Sequence, residues 1–123
     1  MRVFRPGIGA ATLADDRADV RAALDYLKSR PDVSPDGQFG TIGFCFGGHV
    51  AYLAATLPEI TATASFYGGG VAAMTPGGGP PTVSRTKDIH GEILCFFGEN
   101  DPIILPEHVQ TIQQALNESA TAH

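Results

Sequence analysis

Apolar side chains recur with helical spacing at three places along this chain. In the first, Val20, Leu24 and Leu27 lie at i, i+4 and i+7 among charged neighbours, which predicts an amphipathic helix over 13–29. An alanine-rich stretch near the middle and a stretch that opens on proline near the end also have helical character. The second and third predicted helices cover 47–57 and 106–119.

Three short runs between these helices are rich in β-branched and aromatic residues. They predict strands over 39–44, 60–67 and 92–97, the first buried and the last apolar enough to be covered on both faces. Strands that alternate with helices are typical of parallel sheets with right-handed crossovers. We therefore expect the α/β class, as a three-layer open parallel sheet of about three strands flanked by helices, in a single domain spanning 1–123.

Composition and charge exclude several classes of function. With 43% hydrophobic and 17% charged residues, the chain has the balance of an ordinary globular protein. Its formal net charge of −5 leaves no basic stripe for a phosphate backbone, so we expect no nucleic acid partner. No apolar run is long enough to span a bilayer, and the first fifteen residues lack the apolar core of a signal peptide. We expect a cytoplasmic protein without a membrane partner.

The two cysteines, Cys45 and Cys95, lie far apart and lack the spacing of metal ligands. We therefore expect no disulfide and no zinc site, and nothing in the sequence implies an organic cofactor. Cys95 lies inside the third predicted strand, which favours a buried and inert thiol. The long segment 68–91 between the second and third strands has no clear periodicity. It is either a functional lid or a mobile insertion without a role, and the sequence leaves both interpretations open.

The stretch IGFCFGGHV places Cys45 at the carboxyl end of a predicted strand, directly before a predicted helix. Ligands bind at that end of open α/β sheets, and a sharp strand-to-helix turn needs small neighbours, here Gly43 and Gly47. The positive end of the helix favours a thiolate, and the amide of Phe46 is a candidate donor to an oxyanion. The alternative is that Cys45 is a small buried apolar side chain.

Three motifs resemble the dienelactone hydrolase family of α/β-hydrolases: GFCFGG, FYGGG and CFFGENDPII. The resemblance implies a partial α/β-hydrolase fold that acts on a small-molecule ester or lactone. It implies that Cys45 is the nucleophile and that Asp101, three residues after Gly98, is the acid that orients a histidine. Asp101 also follows a predicted buried strand, although Asn100-Asp101-Pro102 is equally typical of a turn. Tyr67 and Gly68, at the end of the second strand, either line the pocket mouth or serve ordinary packing.

The resemblance also implies a histidine one strand after Asp101, and opening strands before the first helix, which this sequence does not contain. His90 precedes the third strand and is excluded because it lies at the opposite end of the sheet. The remaining histidines are weak substitutes: His49, His108 and His123.

A sheet of three strands leaves edges and apolar surface uncovered, so we expect a homo-oligomer whose sheets or helices complete one another. Two alternatives to the hydrolase stay open. The first is a non-catalytic interaction or ligand-binding module derived from the hydrolase fold. The second, a flavodoxin-like nucleotide-binding domain, is weaker because GFCFGG lacks G-x-G-x-x-G spacing and no Walker lysine follows it.

Overall fold

The computed structural model describes residues 13–123, with side chains from Arg17 onward. The opening twelve residues, for which we expect no leader, lie outside the described residues. The helices α1, α2 and α3 span Leu13–Ser29, Phe46–Ala54 and Pro106–Glu118, and the strands β1, β2 and β3 span Phe39–Phe44, Ile60–Phe66 and Glu92–Phe96. Each lies where the sequence predicts it, although α2 ends earlier than expected because the chain turns before Pro58. No helix in the described part of the chain is long and apolar enough to cross a membrane.

The three strands form one parallel sheet in the order β1-β2-β3. Phe44 lies level with Phe66, which lies level with Phe96, so the carboxyl ends of all three strands meet at one edge. The predicted α/β class, with three parallel strands in one open sheet, is confirmed.

One face of this sheet is covered by α2, α3 and the segment that joins β2 to β3. Its main core consists of side chains that are almost completely buried, and Tyr52, Ile93 and Ile112 are each 2% exposed or less. Burial of one such side chain stabilises the fold by about 1.5–3 kcal/mol. This face therefore supplies the rigid part of the molecule.

A second apolar cluster attaches α1 to the same side of the sheet as α2. Leu24, on the predicted apolar face of α1, is 4% exposed and packs with Leu57 and Ile60. At the rim, Arg21 and Lys28 both pair with the Glu59 carboxylate. Because both cationic side chains are half-exposed, these ion pairs contribute little, and the apolar contacts hold α1 in place.

The opposite face of the sheet is uncovered by any described residue, and we call it the open face. It presents five large apolar side chains, of which four are exposed by 43–63%. They are Ile42, Phe44, Phe66, Leu94 and Phe96. The three phenylalanine rings stack across the strands, with centroids 4.9 Å and 4.4 Å apart. The expected burial of β1, and of β3 on both faces, is therefore wrong in the described part of the chain.

The segment 68–91 is packed against α2 rather than extended from the body. It contains a 3-10 helix over Thr82–Asp88, and its Val71 and Ile89 enter the main core. The buried hydroxyls of Tyr52 in α2 and Thr86 in the 3-10 helix share a hydrogen bond. Parts of the segment are therefore packed on the body of the molecule, while its two interpretations, a functional lid and a mobile insertion without a role, stay predictions.

Candidate active site

Cys45 stands between β1 and α2 with φ 57° and ψ −123°, a conformation that residues with side chains rarely adopt. Its amide donates a hydrogen bond to the Phe66 carbonyl at 3.0 Å, and its carbonyl accepts from the amides of Gly48 and His49 at 2.9 and 3.3 Å. Holding a side chain in such a conformation costs of order 1–3 kcal/mol. These hydrogen bonds offset that strain and leave Cys45 exposed.

The glycines around Cys45 allow two close backbone contacts. A Cβ on Gly43 would lie 1.9 Å from the Gly47 carbonyl oxygen, so the predicted need for glycine there is confirmed. A Cβ on Gly47 would meet no described atom within 4 Å, and the predicted collision at that position is wrong. The second required glycine is instead Gly48, where a Cβ would lie 2.5 Å from the Phe66 carbonyl oxygen. The only sequence signal for Gly48 is the doubled glycine after Phe46.

The amide of Phe46 is the predicted donor to an oxyanion. Phe46 is the first residue of α2, so its N–H has no acceptor within the helix. No other described group accepts a hydrogen bond from it. This N–H is therefore available to a bound oxygen next to the Cys45 thiol.

Asp101 lies in the loop that follows β3. Its Oδ1 accepts hydrogen bonds from the amides of Ile103 at 2.8 Å and Ile104 at 3.1 Å. These two bonds lower the pKa of the Asp101 carboxyl below its usual range, so the group is a carboxylate at neutral pH. Its Oδ2 has no donor among residues 13–123 and can accept a further hydrogen bond.

Tyr67 and Gly68 follow β2, between the Cys45 and Asp101 loops. Tyr67 has φ 39°, donates its amide to the Phe96 carbonyl at 2.7 Å, and leaves its side chain 45% exposed. Gly68 is buried, and a Cβ there would lie 2.9 Å from the His49 amide nitrogen. Close packing against α2 therefore explains the glycine at 68, while pocket-lining roles for both residues stay predictions.

Cys45 and Asp101 lie at the same edge of the sheet, but their side chains do not bond to each other. Their strands are separated by β2, which puts the strand backbones roughly 10 Å apart. No hydrogen bond or ion pair among the described residues links the two side chains. An intervening group with two hydrogen-bonding atoms is needed to connect them.

His49 is the histidine nearest to Cys45 in sequence, but its ring is engaged elsewhere. It is 1% exposed, donates from Nδ1 to the Gly69 carbonyl at 2.8 Å and accepts at Nε2 from the Thr82 hydroxyl at 2.7 Å. Burial lowers the pKa of His49, which keeps the ring neutral. His49 therefore fastens the segment 68–91 to α2. The sequence contains no signal for this contact because its partners lie 20 and 33 residues away.

The other histidines and Cys95 also have defined surroundings. His108 accepts at Nδ1 from the Leu105 amide at the start of α3, and His123 donates from Nδ1 to the Thr121 carbonyl. Burial raises the pKa of Cys95 to about 12, which keeps this thiol protonated and agrees with the inert role expected of it. Residues 13–123 contain no group of three or more histidine, cysteine or acidic side chains that could hold a metal ion.

A family model and individual relatives both link this sequence to dienelactone hydrolases. The sequence model of the dienelactone hydrolase family matches residues 7–123. A provisionally named carboxymethylenebutenolidase from Synechocystis sp. is 40% identical over 110 residues, which is 89% of this chain and 44% of the relative. The carboxymethylenebutenolidase of Rhodococcus opacus is 31% identical over 116 residues, covering 90% of this chain and 45% of the relative.

Solved structures agree with this relationship. A provisionally named dienelactone hydrolase from Klebsiella pneumoniae superposes with a TM-score of 0.78 at 25% identity, covering 90% of this chain and 46% of that one. A Pyrococcus furiosus esterase shares the fold, with a TM-score of 0.72 at 20% identity over 88% of this chain and 51% of that one. The chain thus spans about half the length of the proteins it matches, or somewhat less.

Proposed function

The chain belongs to the dienelactone hydrolase family, and on that premise we propose that it carries the nucleophile and the acid of a hydrolase for ester or lactone carbonyls. The observation that carries this proposal is the exposed Cys45 held at positive φ between a strand and a helix. Because curated relatives are named carboxymethylenebutenolidases, the proposed substrate is a small lactone or ester.

In the proposed reaction, an imidazole takes the proton of the Cys45 thiol, the sulfur attacks the carbonyl carbon, and the carbonyl π electrons move to oxygen as the sulfur–carbon bond forms. The Phe46 amide donates a hydrogen bond to the resulting oxyanion. When this intermediate collapses, the ester carbon–oxygen bond breaks and the leaving alkoxide takes a proton from an imidazolium. Water then attacks the thioester as the imidazole takes one of its protons. The second intermediate collapses with cleavage of the carbon–sulfur bond, and the imidazolium returns the proton to sulfur, which releases the acid and restores the thiol.

The imidazole in these steps must connect Cys45 with Asp101. We propose that Asp101 positions it through Oδ2, while the amides of Ile103 and Ile104 keep the carboxylate ionised. His49 does not fill the role because both of its ring nitrogens are bonded elsewhere. We propose that this histidine comes from another subunit or from a polypeptide segment outside the described residues.

Intact-mass spectrometry with p-nitrophenyl acetate tests this proposal. We expect one acetyl group on Cys45, none after Cys45→Ala, and unchanged labelling after the matched change Cys95→Ala, because the Cys95 thiol is protonated. Added imidazole should shorten the lifetime of the acetyl group on Cys45 by supplying the missing base. Labelling that survives Cys45→Ala, or that proceeds no faster than with a free thiol, would overturn the nucleophile assignment.

A second candidate function, an interaction module without catalysis, is favoured by the open face. Its stacked phenylalanine side chains form an exposed apolar patch that monomeric proteins seldom carry without a binding role. Under this alternative, Cys45→Ala leaves stability and partner binding intact, whereas the hydrolase loses acetyl turnover. Purified protein that does not turn over p-nitrophenyl acetate but binds a partner with saturation would favour the interaction module.

We also propose that a second copy of the chain packs on the open face, giving a homo-oligomer. The exposed parts of its side chains amount to roughly 500 Å² of apolar surface per copy, near the lower limit of stable interfaces. Leu94→Lys should weaken association in sedimentation experiments, and Thr111→Lys, on the exposed side of α3, should not. A monodisperse monomer of the unsubstituted chain at micromolar concentration would contradict this.

Cytoplasmic location stays a prediction that cell fractionation can check.

A further inference from the structure

A strained residue follows β2, as another follows β1. Tyr67 has φ 39°, so a residue with a side chain stands at positive φ here, as Cys45 does with φ 57°. Such conformations persist only where the surrounding structure holds them. At Tyr67, one such contact is the hydrogen bond from its amide to the Phe96 carbonyl at 2.7 Å. The other contacts lie further along the turn 67–70 and involve a buried histidine.

The ring of His49, in α2, holds the far side of the turn 67–70. Because the Gly69 carbonyl can only accept, the ring nitrogen Nδ1 carries a proton and donates it to this carbonyl at 2.8 Å. The same ring lies against the next residue, since a Cβ on Gly70 would be 3.3 Å from Nδ1. His49 is 1% exposed, so the bond is shielded from water. A side chain of α2 therefore fixes the backbone two residues after Tyr67.

The turn 67–70 also touches the part of α2 that holds Cys45. A Cβ on Gly68 would lie 2.9 Å from the carbonyl carbon of Gly48 and 2.9 Å from the amide nitrogen of His49. Gly48 and His49 are the two residues whose amides donate to the Cys45 carbonyl. The two turns therefore share one contact surface at the start of α2.

The side chain of Tyr67 lies at the edge of the sheet where the substrate is expected. Its ring centroid is 6.2 Å from that of Phe44, the residue before Cys45, and the side chain is 45% exposed. Because β2 lies between β1 and β3, the turn after β2 stands between Cys45 and Asp101. An ester whose carbonyl reaches the Cys45 sulfur therefore lies against the turn 67–70.

We propose that His49 is a positioning residue for acyl transfer to Cys45: through Nδ1 it holds the turn 67–70 in place, and this turn seats the carbonyl group of the substrate. The inference rests on the proposed hydrolase function. His49 exchanges no proton with the reactants, because both of its ring nitrogens are bonded within the segment 68–91. Without the bond to Gly69, Tyr67 moves away from Phe44. Since a misplacement of about 1 Å can slow a reaction by about a hundredfold, acylation is sensitive to this bond.

Two substitutions of His49 separate the bonds of its two ring nitrogens. His49→Asn places an amide nitrogen near the position of Nδ1, where it still donates to the Gly69 carbonyl, whereas His49→Gln places its amide near Nε2, beside Thr82. We expect His49→Gln to slow acetylation of Cys45 by p-nitrophenyl acetate about tenfold or more, and His49→Asn to restore most of the rate. Thr82→Val is the control for stability. It removes only the bond at Nε2, so it should lower the Tm without slowing acetylation.

Iodoacetamide distinguishes a positioning role from damage to the Cys45 turn. It alkylates a thiol without an ester carbonyl that must be seated, so in a Cys95→Ala background His49→Gln should leave the alkylation rate of Cys45 within about twofold. A parallel loss of alkylation and acetylation would overturn the proposal, because His49 would then support the thiol itself. If His49→Gln does not fold, Gly70→Ala serves in its place, since its Cβ displaces the same turn from the His49 ring.

Nuclear Overhauser effects between the rings of Tyr67 and Phe44 report the position of the turn without any ester. We expect these effects in the unsubstituted chain and in His49→Asn, and their loss in His49→Gln. Effects that survive in His49→Gln would overturn the proposal. Variants that acetylate as fast as a reactive unsubstituted chain would overturn the role of His49 alone. An unsubstituted chain whose Cys45 reacts with the ester no faster than a free thiol would instead overturn the proposed hydrolase, and this role with it.

Discussion

Replacement of Cys45 by glycine should stabilise the protein relative to replacement by alanine. Both changes remove an exposed thiol, so neither creates a cavity in the core. They differ in one respect, because alanine retains a Cβ at φ 57° and ψ −123° whereas glycine adopts this conformation freely. The difference between the two variants therefore isolates the backbone strain at the turn.

The size of the effect follows from two opposing terms. Relief of the strain contributes about 1–3 kcal/mol, and the greater freedom of glycine in the unfolded chain removes about 0.5–1 kcal/mol of that gain. The net expectation is that Cys45→Gly is more stable than Cys45→Ala by up to about 2.5 kcal/mol, with a central value of about 1 kcal/mol. For a domain of this size, that corresponds to a rise in Tm of roughly 3–8 °C.

Urea unfolding followed by circular dichroism measures this difference, provided that the m-values of the two variants agree. Ala18→Gly in the exposed, helical part of α1 is the control, and it should lose about 1 kcal/mol because glycine disfavours helix. A Cys45→Gly variant that is no more stable than Cys45→Ala would refute the claim that the turn stores strain. Both variants should resist acetylation.

Three further predictions concern neighbouring features. Gly43→Ala should destabilise the protein by more than about 3 kcal/mol because the added Cβ would collide with the Gly47 carbonyl, whereas Gly47→Ala should be neutral or stabilising. Equal midpoints of urea unfolding for the two variants would contradict this. Because the pKa of His49 is lowered in the folded state, the unfolded chain binds more protons below about pH 6.5, and the free energy of unfolding falls as the pH is lowered. His49→Gln should flatten the dependence of this free energy on pH between about pH 7 and 5, and an unchanged slope would contradict a buried, neutral His49. Ala120→Gly should raise the free energy of unfolding by about 1 kcal/mol because position 120 has φ 56°, and an unchanged or lower Tm would speak against that backbone conformation.

The positions of the helices and strands could be predicted because their signals are local. The spacing of Val20, Leu24 and Leu27 needs only the chain around it, and α1 spans the predicted residues. Burial could not be predicted in the same way. The apolar runs of β1 and β3 indicate strands that can be covered on two faces, but coverage depends on elements that the described residues do not contain.

The candidate site likewise contains features that local sequence patterns predict and features that they do not. Strand ends alone predict that Cys45 and Asp101 share one edge of a parallel sheet, and they lie there. The requirement for Gly48 rather than Gly47 depends on how closely α2 approaches the Phe66 carbonyl, which no local pattern encodes. The contact of His49 with Thr82 was missed for the same reason, since it depends on how the segment 68–91 folds back over α2.

The hydrogen bonds that fix the conformation of Cys45 involve none of the surface that the described residues leave uncovered. Its turn is held by the carbonyl of Phe66 in β2 and by the amides of Gly48 and His49 in α2, all of which lie within the sheet and its helical layer. The side chains of the open face supply none of these bonds. An occupant of the open face should therefore leave the conformation of Cys45 unchanged, and the proposed attack on an activated ester, whose leaving group needs no proton, requires only this chain. Under the proposed mechanism, deacylation needs an imidazole beside Asp101, so a partner that supplies this group should raise the rate of turnover rather than the rate of acetylation.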